Sequence, residues 1–552
     1  GTSNFRAGVN AGNSIQSGGN YNVVVGDEAG TALTTGDGNV LLGYATGDAL
    51  TTGSNNIAIG QEALTTEDTG SRNTAVGNGT LATLNFDGNG YNTAVGFDAG
   101  SAVTTGVQNT FIGGLAGDAT TTTSNNTAVG FEALTTNTTG ASNSAVGRKA
   151  LSSNTTGHSN SAFGADLPGV VAGSALTANT TGLRNSAFGG SSLATNTTGD
   201  QNTAVGAAAL HLSTTADNNT AVGYQSLYAN TTGASNVAVG AYALDANTTG
   251  TVNVAVGTAA LGALTTASYN TALGYAALTT NVTGAQNTAV GYSALTAATG
   301  ADNTAVGSQA LSSVAAGTYN TAVGRSAGAA VTTGVQNTLI GGLAGDAITT
   351  GNYNLAIGHQ ALSATTTANY NVAVGRSALF TNILGSHSTA IGISALETQN
   401  YATATAAYNV AVGHEAGLSV TTGIQNTFIG GLAGDANTTA NNNTAVGKSS
   451  LSATTTGGEN TAVGTNALAT NTTASNNTAV GTNALKVNTT GANNVAVGSL
   501  ALDANTTASN NTAVGYAAGT AITTGTQNTL IGGLAGDALT DADDNVAIGY
   551  AA

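Results

Sequence analysis

Cysteine, methionine and tryptophan are all absent from the 552 residues, and proline occurs once. Without cysteine there is no disulfide and no thiolate metal site, although the redox compartment stays open. Without an initiator methionine, a chain that starts Gly1-Thr2 reads as a processed product or a segment of something longer, and no signal peptide is visible in it. Charge is scarce too, at 6% of residues, so uncharged polar groups must cover the solvent face. Nine Lys and Arg against 26 Asp and Glu give a net charge of -17, which leaves no basic footprint for a phosphate backbone and argues against nucleic acid. No apolar run reaches the roughly 18 residues that span a bilayer, so no membrane insertion is expected within this chain.

What is present is repetition. The phrase Asn126-Thr127-Ala128-Val129-Gly130 recurs, lightly varied, from residue 4 to residue 545, usually at a step of 17. With its Asn as position 1, the full unit reads N-T-A-V-G-x-x-A-L-x-x-N-T-T-G-x-x, and the chain holds 32 such units. One short period throughout replaces a count of domains with one array. Residues 1–21 read as an irregular N-terminal lead-in with a weak first repeat, and residues 22–552 as a continuous repeat array.

Short β-branched runs that end in glycine read as strands, and glycine holds position 5 in every unit. The fold class expected is all-β: a parallel β-solenoid, or β-roll, with a 17-residue coil and two short strands per coil, the second around Ala133-Leu134. Stacked coils place equivalent residues above one another, so Asn109, Asn126 and Asn143 form a hydrogen-bonded ladder beside the turn glycines Gly113, Gly130 and Gly147. At about 4.8 Å per coil the array would make a rod roughly 150 Å long.

Departures from the period mark loops. Asn4 to Asn22 is 18 residues, Asn73 to Asn92 is 19, Asn287 to Asn303 is 16, and Ser388 to Asn409 is 21. Asn160 to Asn185 carries eight extra residues, including Pro168, and Ser388 is the one place where the leading Asn is replaced. A longer pattern overlies the short one. Units with Ala-Gly in place of Ala-Leu (Gly30, Gly100, Gly328, Gly417, Gly519) precede units with a bulky position 3 (Phe111, Leu339, Phe428, Leu530) and an aspartate at Asp48, Asp118, Asp346, Asp435 or Asp537. This reads as local exchange of one large core residue for another; a lone Asp lacks the several oxygen ligands calcium takes.

The phrase and its variants Asn56-Ile57-Ala58-Ile59-Gly60, Asn354-Leu355-Ala356-Ile357-Gly358 and Asn545-Val546-Ala547-Ile548-Gly549 resemble the N-S-V-A-I-G motif of YadA-type head domains of trimeric autotransporter adhesins. Similar repeats occur in bacteriophage tail fibres. The resemblance covers about five positions per unit along nearly the whole chain, and departs in period, since the head repeats are usually shorter. It implies a left-handed parallel β-roll and a trimer. No stalk heptads, anchor barrel or self-cleaving chaperone domain is recognisable.

The histidines, His158, His211, His359, His387 and His414, read as scattered surface residues, and no Ser-His-Asp set, paired carboxylates or phosphate loop occurs. No enzyme, cofactor or metal is expected. Tyrosines flank the strand: Tyr319, Tyr353 and Tyr370 just before the Asn, and Tyr224, Tyr275 and Tyr292 just after the Gly. They are candidate recognition corners for a carbohydrate or surface receptor. The N-T-T-G corners contain sequons at Asn137, Asn154 and Asn247, candidate glycosylation sites beside the plainer reading as turns.

The function expected is a non-enzymatic extracellular fibre or adhesin shaft or head, on a cell surface or virion, acting as a homo-oligomer. One alternative is a self-assembling filament of head-to-tail stacked solenoids, suggested by a chain that begins and ends inside its repeat. A less favoured one is ice binding through the regular Thr array.

Overall fold

The computed structural model describes residues 3–165 and 173–552, so Pro168 and most of the eight-residue insertion lie outside the described residues. The chain divides into two compact units, Gly1–Ala276 and Ala277–Ala552. Each is a parallel β-solenoid. The first contains sixteen three-residue strands, from Phe5–Ala7 to Thr271–Leu273, and the second another sixteen, from Thr288–Val290 to Val546–Ile548, with one extra two-residue pair. Within each unit successive strands pair in parallel and in register, as Thr127↔Ser144 and Ala128↔Ala145 do. The weak first repeat belongs to the first stack, since Phe5 pairs with Val23.

Alternation along the strand puts position 3 inside and positions 2 and 4 outside. Ala128 is fully buried while Thr127 and Val129 are half-exposed. Glycine is required at position 5: Gly130 has φ 137°, and a Cβ there would lie 2.6 Å from the carbonyl oxygen of Gly147 in the next coil.

The second strand expected at Ala133-Leu134 is not formed, and the coil has one strand, not two. Glu132 and Leu134 both take left-handed backbone angles (φ 54° and 56°), which curl the segment where a strand would run straight. The curl satisfies amides in both directions: Glu132 N donates to Gly114 O in the coil before and Leu134 N to Ala150 O in the coil after, each at 3.0 Å. A left-handed leucine costs roughly 1–2 kcal/mol. Full burial of its side chain returns about 1.5–3 kcal/mol, so the conformation persists.

Glycine at position 9 removes that strain and leaves a gap, which the next coil fills. In the paired coils Gly100 and Gly117 sit at φ 60° and 59°, and the fully buried Phe111 ring lies across both. Leu41, Leu339, Phe428 and Leu530 occupy the same place against their own glycine pairs. The exchange of core residues read from the sequence is thus between position 9 and position 3. The leucine at position 7, such as Leu115, is only half-buried and contributes little to it.

Two asparagine ladders run through the interior. In the first, Asn143 Oδ1 accepts from the backbone N–H of Asn160 in the next coil (3.0 Å) and Asn143 Nδ2 donates to Gly157 O of its own coil (2.9 Å), so one amide side chain closes its coil and ties it to the next. The second ladder is at position 12, where Asn154 Nδ2 donates to Asn137 Oδ1 (2.8 Å) and to Gly157 O (2.9 Å). The 21-residue coil at Ser388 replaces both rungs with one longer side chain. Gln399 Nε2 donates to Ser388 Oγ (3.0 Å) and its Oε1 accepts from Asn409 Nδ2 (3.0 Å). Burial pushes the Tyr401 phenol beside it up to about 12, and its hydroxyl donates to Gly423 O.

Candidate binding surface

The outward row at position 4 is apolar in every coil, and no charged residue stands at position 2 or 4 of the sixteen strands in either unit. Many of these side chains are more than a third exposed, among them Leu42, Ile112, Phe188 and Leu273 in the first unit and Val323, Ile340, Ile429 and Ile531 in the second. Where position 2 is apolar as well the face carries no polar side chain: Val23/Val25, Val40/Leu42 and Ile57/Ile59 are three consecutive coils of this kind. The strand's Val is therefore surface, and its Ala is interior, because the narrow coil admits only a methyl group beside Leu134. Phe163 and Phe188 stack on this face at 4.9 Å.

The tyrosine corners border the face on both sides, and all six are exposed, from 40% at Tyr224 to 61% at Tyr319. Tyr224 meets Tyr242 edge to face at 5.4 Å. Tyr275 and Tyr292 each have a partner within the chain. Tyr353 and Tyr370 lie parallel at 4.9 Å, and the column continues through His387 to Tyr408 at 5.0 Å per step. Rings stacked like coins cover each other's faces and present only their edges. A sugar that stacks on an aromatic face finds little room in this column, to which Tyr319 does not belong, since Gln336 holds the equivalent place between it and Tyr353.

The sequon asparagines face inward. Asn137, Asn154 and Asn247 are fully buried rungs of the second ladder, and the folded coil has no space for a glycan there. The threonines beside them form the outer edge, with Thr138 Oγ1 donating to Thr155 O (3.2 Å) and Thr180 Oγ1 to Thr197 O (3.1 Å). Their protons are engaged in holding coils together.

One histidine departs from the surface reading: His211 is buried, stacked on Tyr228 at 5.3 Å with Nδ1 3.1 Å from Ser191 O. Among the described residues no cluster of three or more metal-ligating side chains occurs. Three aspartates of the special coils, Asp48, Asp118 and Asp346, bond sideways to a hydroxyl of the next coil, Asp118 Oδ1 accepting from Thr135 Oγ1 at 2.6 Å, and burial raises the Asp118 carboxyl above its ordinary range. The sequence reading missed Glu67, which takes the place of an Asn rung between Leu50 and Leu84. It is fully buried, Oε1 accepts from Gly70 N at 2.7 Å, Oε2 has no partner, and desolvation pushes the carboxyl up to about 7. No protein-family model matches the chain, and no curated protein matches it. No helix among the described residues is long and apolar enough to cross a membrane.

Proposed function

We propose that the chain is a non-enzymatic structural element of an extracellular, cell-surface or virion fibre, which associates with copies of itself through its outward sheet face and presents its corners to a receptor. The observation that carries this reading is the uncharged, apolar row that runs unbroken along each unit. A three-residue strand about 10 Å long, repeated every 4.8 Å or so, offers about 50 Å² per coil. The sixteen coils of one unit then offer about 800 Å², what one partner contributes to a standard stable interface. The face repeats at the same step on every copy, so two copies match at each coil once they match at one.

A trimer accords with the resemblance to adhesin heads. Multi-angle light scattering of the purified chain is expected to give three chains per particle, and one chain per particle would overturn the reading. Negative-stain images at rising concentration separate a closed oligomer, of one fixed length, from a head-to-tail filament, whose length grows.

A further inference from the structure

In the second unit a surface notch of about 340 Å³ interrupts the corner formed by positions 14 to 17 of three consecutive coils. We propose that it is a binding site for a neutral oligosaccharide. The inference deepens the reading of the corners as recognition surfaces and rests on it.

The notch exists because of one glycine. Gly458 is the only glycine at position 16 among the 17-residue coils, where its counterparts are residues such as Asn441, Ser475 and Ala492. Even a Cβ at Gly458 would stand 2.9 Å from the carbonyl oxygen of Asn441, so a side chain there would close the floor. The Gly458 N–H donates to Ser475 Oγ at 3.1 Å, which pins that floor in place.

The walls carry polar groups that the chain leaves unused. Asn442, Glu459 and Asn476 occupy position 17 in successive coils, all exposed, and Thr439 and Thr456 face them from position 14. Elsewhere amides at these corners bond to their neighbours one coil away: Asn493 Nδ2 donates to Asn510 Oδ1 (3.3 Å) and Asn352 Nδ2 to Asn369 Oδ1 (3.2 Å). At the notch the same spacing produces no such bond. Two amides, a carboxylate and two hydroxyls therefore point at one space with donors and acceptors free.

That mixture selects the ligand. A sugar hydroxyl both donates and accepts, and amide and carboxylate groups meet it in both roles. A single carboxylate is too few oxygens for a divalent cation. Glu459, in a chain of net charge -17, repels uronates and sialates, which leaves neutral and N-acetylated sugars. The volume lies at the small end of ligand sites, enough for one or two sugar rings.

The test uses the full chain against immobilised cellotriose, maltotriose, chitotriose and a galacturonate trimer, followed by calorimetric titration. Binding of at least one neutral trimer is expected, with the galacturonate trimer at least tenfold weaker. Asn442→Ala, Glu459→Gln and Asn476→Ala should each weaken binding by about fivefold or more, and the triple variant should abolish it. None touches a ladder, so melting should not change. Gly458→Val fills the notch and gives a second route to the same loss. Failure of all three neutral trimers to bind, or wild-type affinity in the triple variant, overturns the proposal. Light scattering on the same samples reads self-association independently, so the failure of this site is distinguishable from failure of the fibre reading.

Discussion

Asparagine at the head of a coil serves two backbone groups from one short side chain, and this explains its near-invariance better than any affinity for a ligand. Asn143→Ala would strand the buried Asn160 N–H that its Oδ1 accepts, and would leave the Gly157 carbonyl with Asn154 Nδ2 as its one remaining side-chain donor. One orphaned group costs about 1–3 kcal/mol, and a loss of that size is expected in chemical denaturation, while Asn143→Asp, which keeps the acceptor and loses the donor, should cost less. Glu67 gives a pH signature. Its folded pKa of about 7 exceeds the 4.5 of the unfolded chain, so the fold holds the proton more tightly. Its stabilisation is then full below about pH 4.5, declines as pH rises to 7, and is absent above, a difference of up to about 3 kcal/mol. Denaturation midpoints at pH 5 and pH 8 should differ in the wild type and converge in Glu67→Gln; an unchanged gap would show that another group is responsible.

At the scale of the coil, the second ladder is built in runs, and those that end at Asn196, Asn247 and Asn505 end on an unsatisfied oxygen. Asn137, Asn154, Asn179 and Asn196 form one run, after which Ser213 occupies the position and both Asn196 Oδ1 and Ser213 Oγ lack partners. Ser213→Asn should join this run to Asn230 and raise the thermal midpoint, by about 1–2 kcal/mol of stability. The paired coils make the opposite case: Phe111→Ala leaves an empty space between Gly100 and Gly117 and should cost about 3–5 kcal/mol, whereas in Leu134→Gly the loss of packing is partly offset by relief of a left-handed backbone.

These elements also mark where sequence reading reached its limit. The period, the glycine of position 5 and the first ladder were legible because only one residue type meets each constraint. The second ladder was not, since Asn-Thr-Thr-Gly reads equally as a turn and as a sequon until its direction is known. Left-handed Leu134 carries no mark in its own identity; the signal was the glycine that replaces it at Gly100 and Gly117. Alternation showed that Ala128 and Val129 face opposite ways but not which is inside. The tyrosine corners were legible by position, their coin-like stacking was not, and the Gly457-Gly458-Glu459 anomaly went unread.

For the molecule as a whole, the balance between solubility and association rests on very few charges. The sheet face has none, so a single added cation there must be buried unpaired when two copies meet. Val323→Lys with Ile340→Lys, two adjacent outward positions on one unit, should leave the melting temperature of the separate chain nearly unchanged and shift light scattering toward single chains. Unaltered mass would place the contact on another face.

In-register pairing of every coil with its neighbours has a genetic consequence. Removing residues 143–159 joins Ser142 to Asn160 and restores the same contacts one rung shorter, whereas removing a single residue from that stretch displaces every rung of its coil. Length in this protein is thus heritable in whole steps, and unequal recombination between near-identical repeats could lengthen or shorten it without passing through a misfolded intermediate.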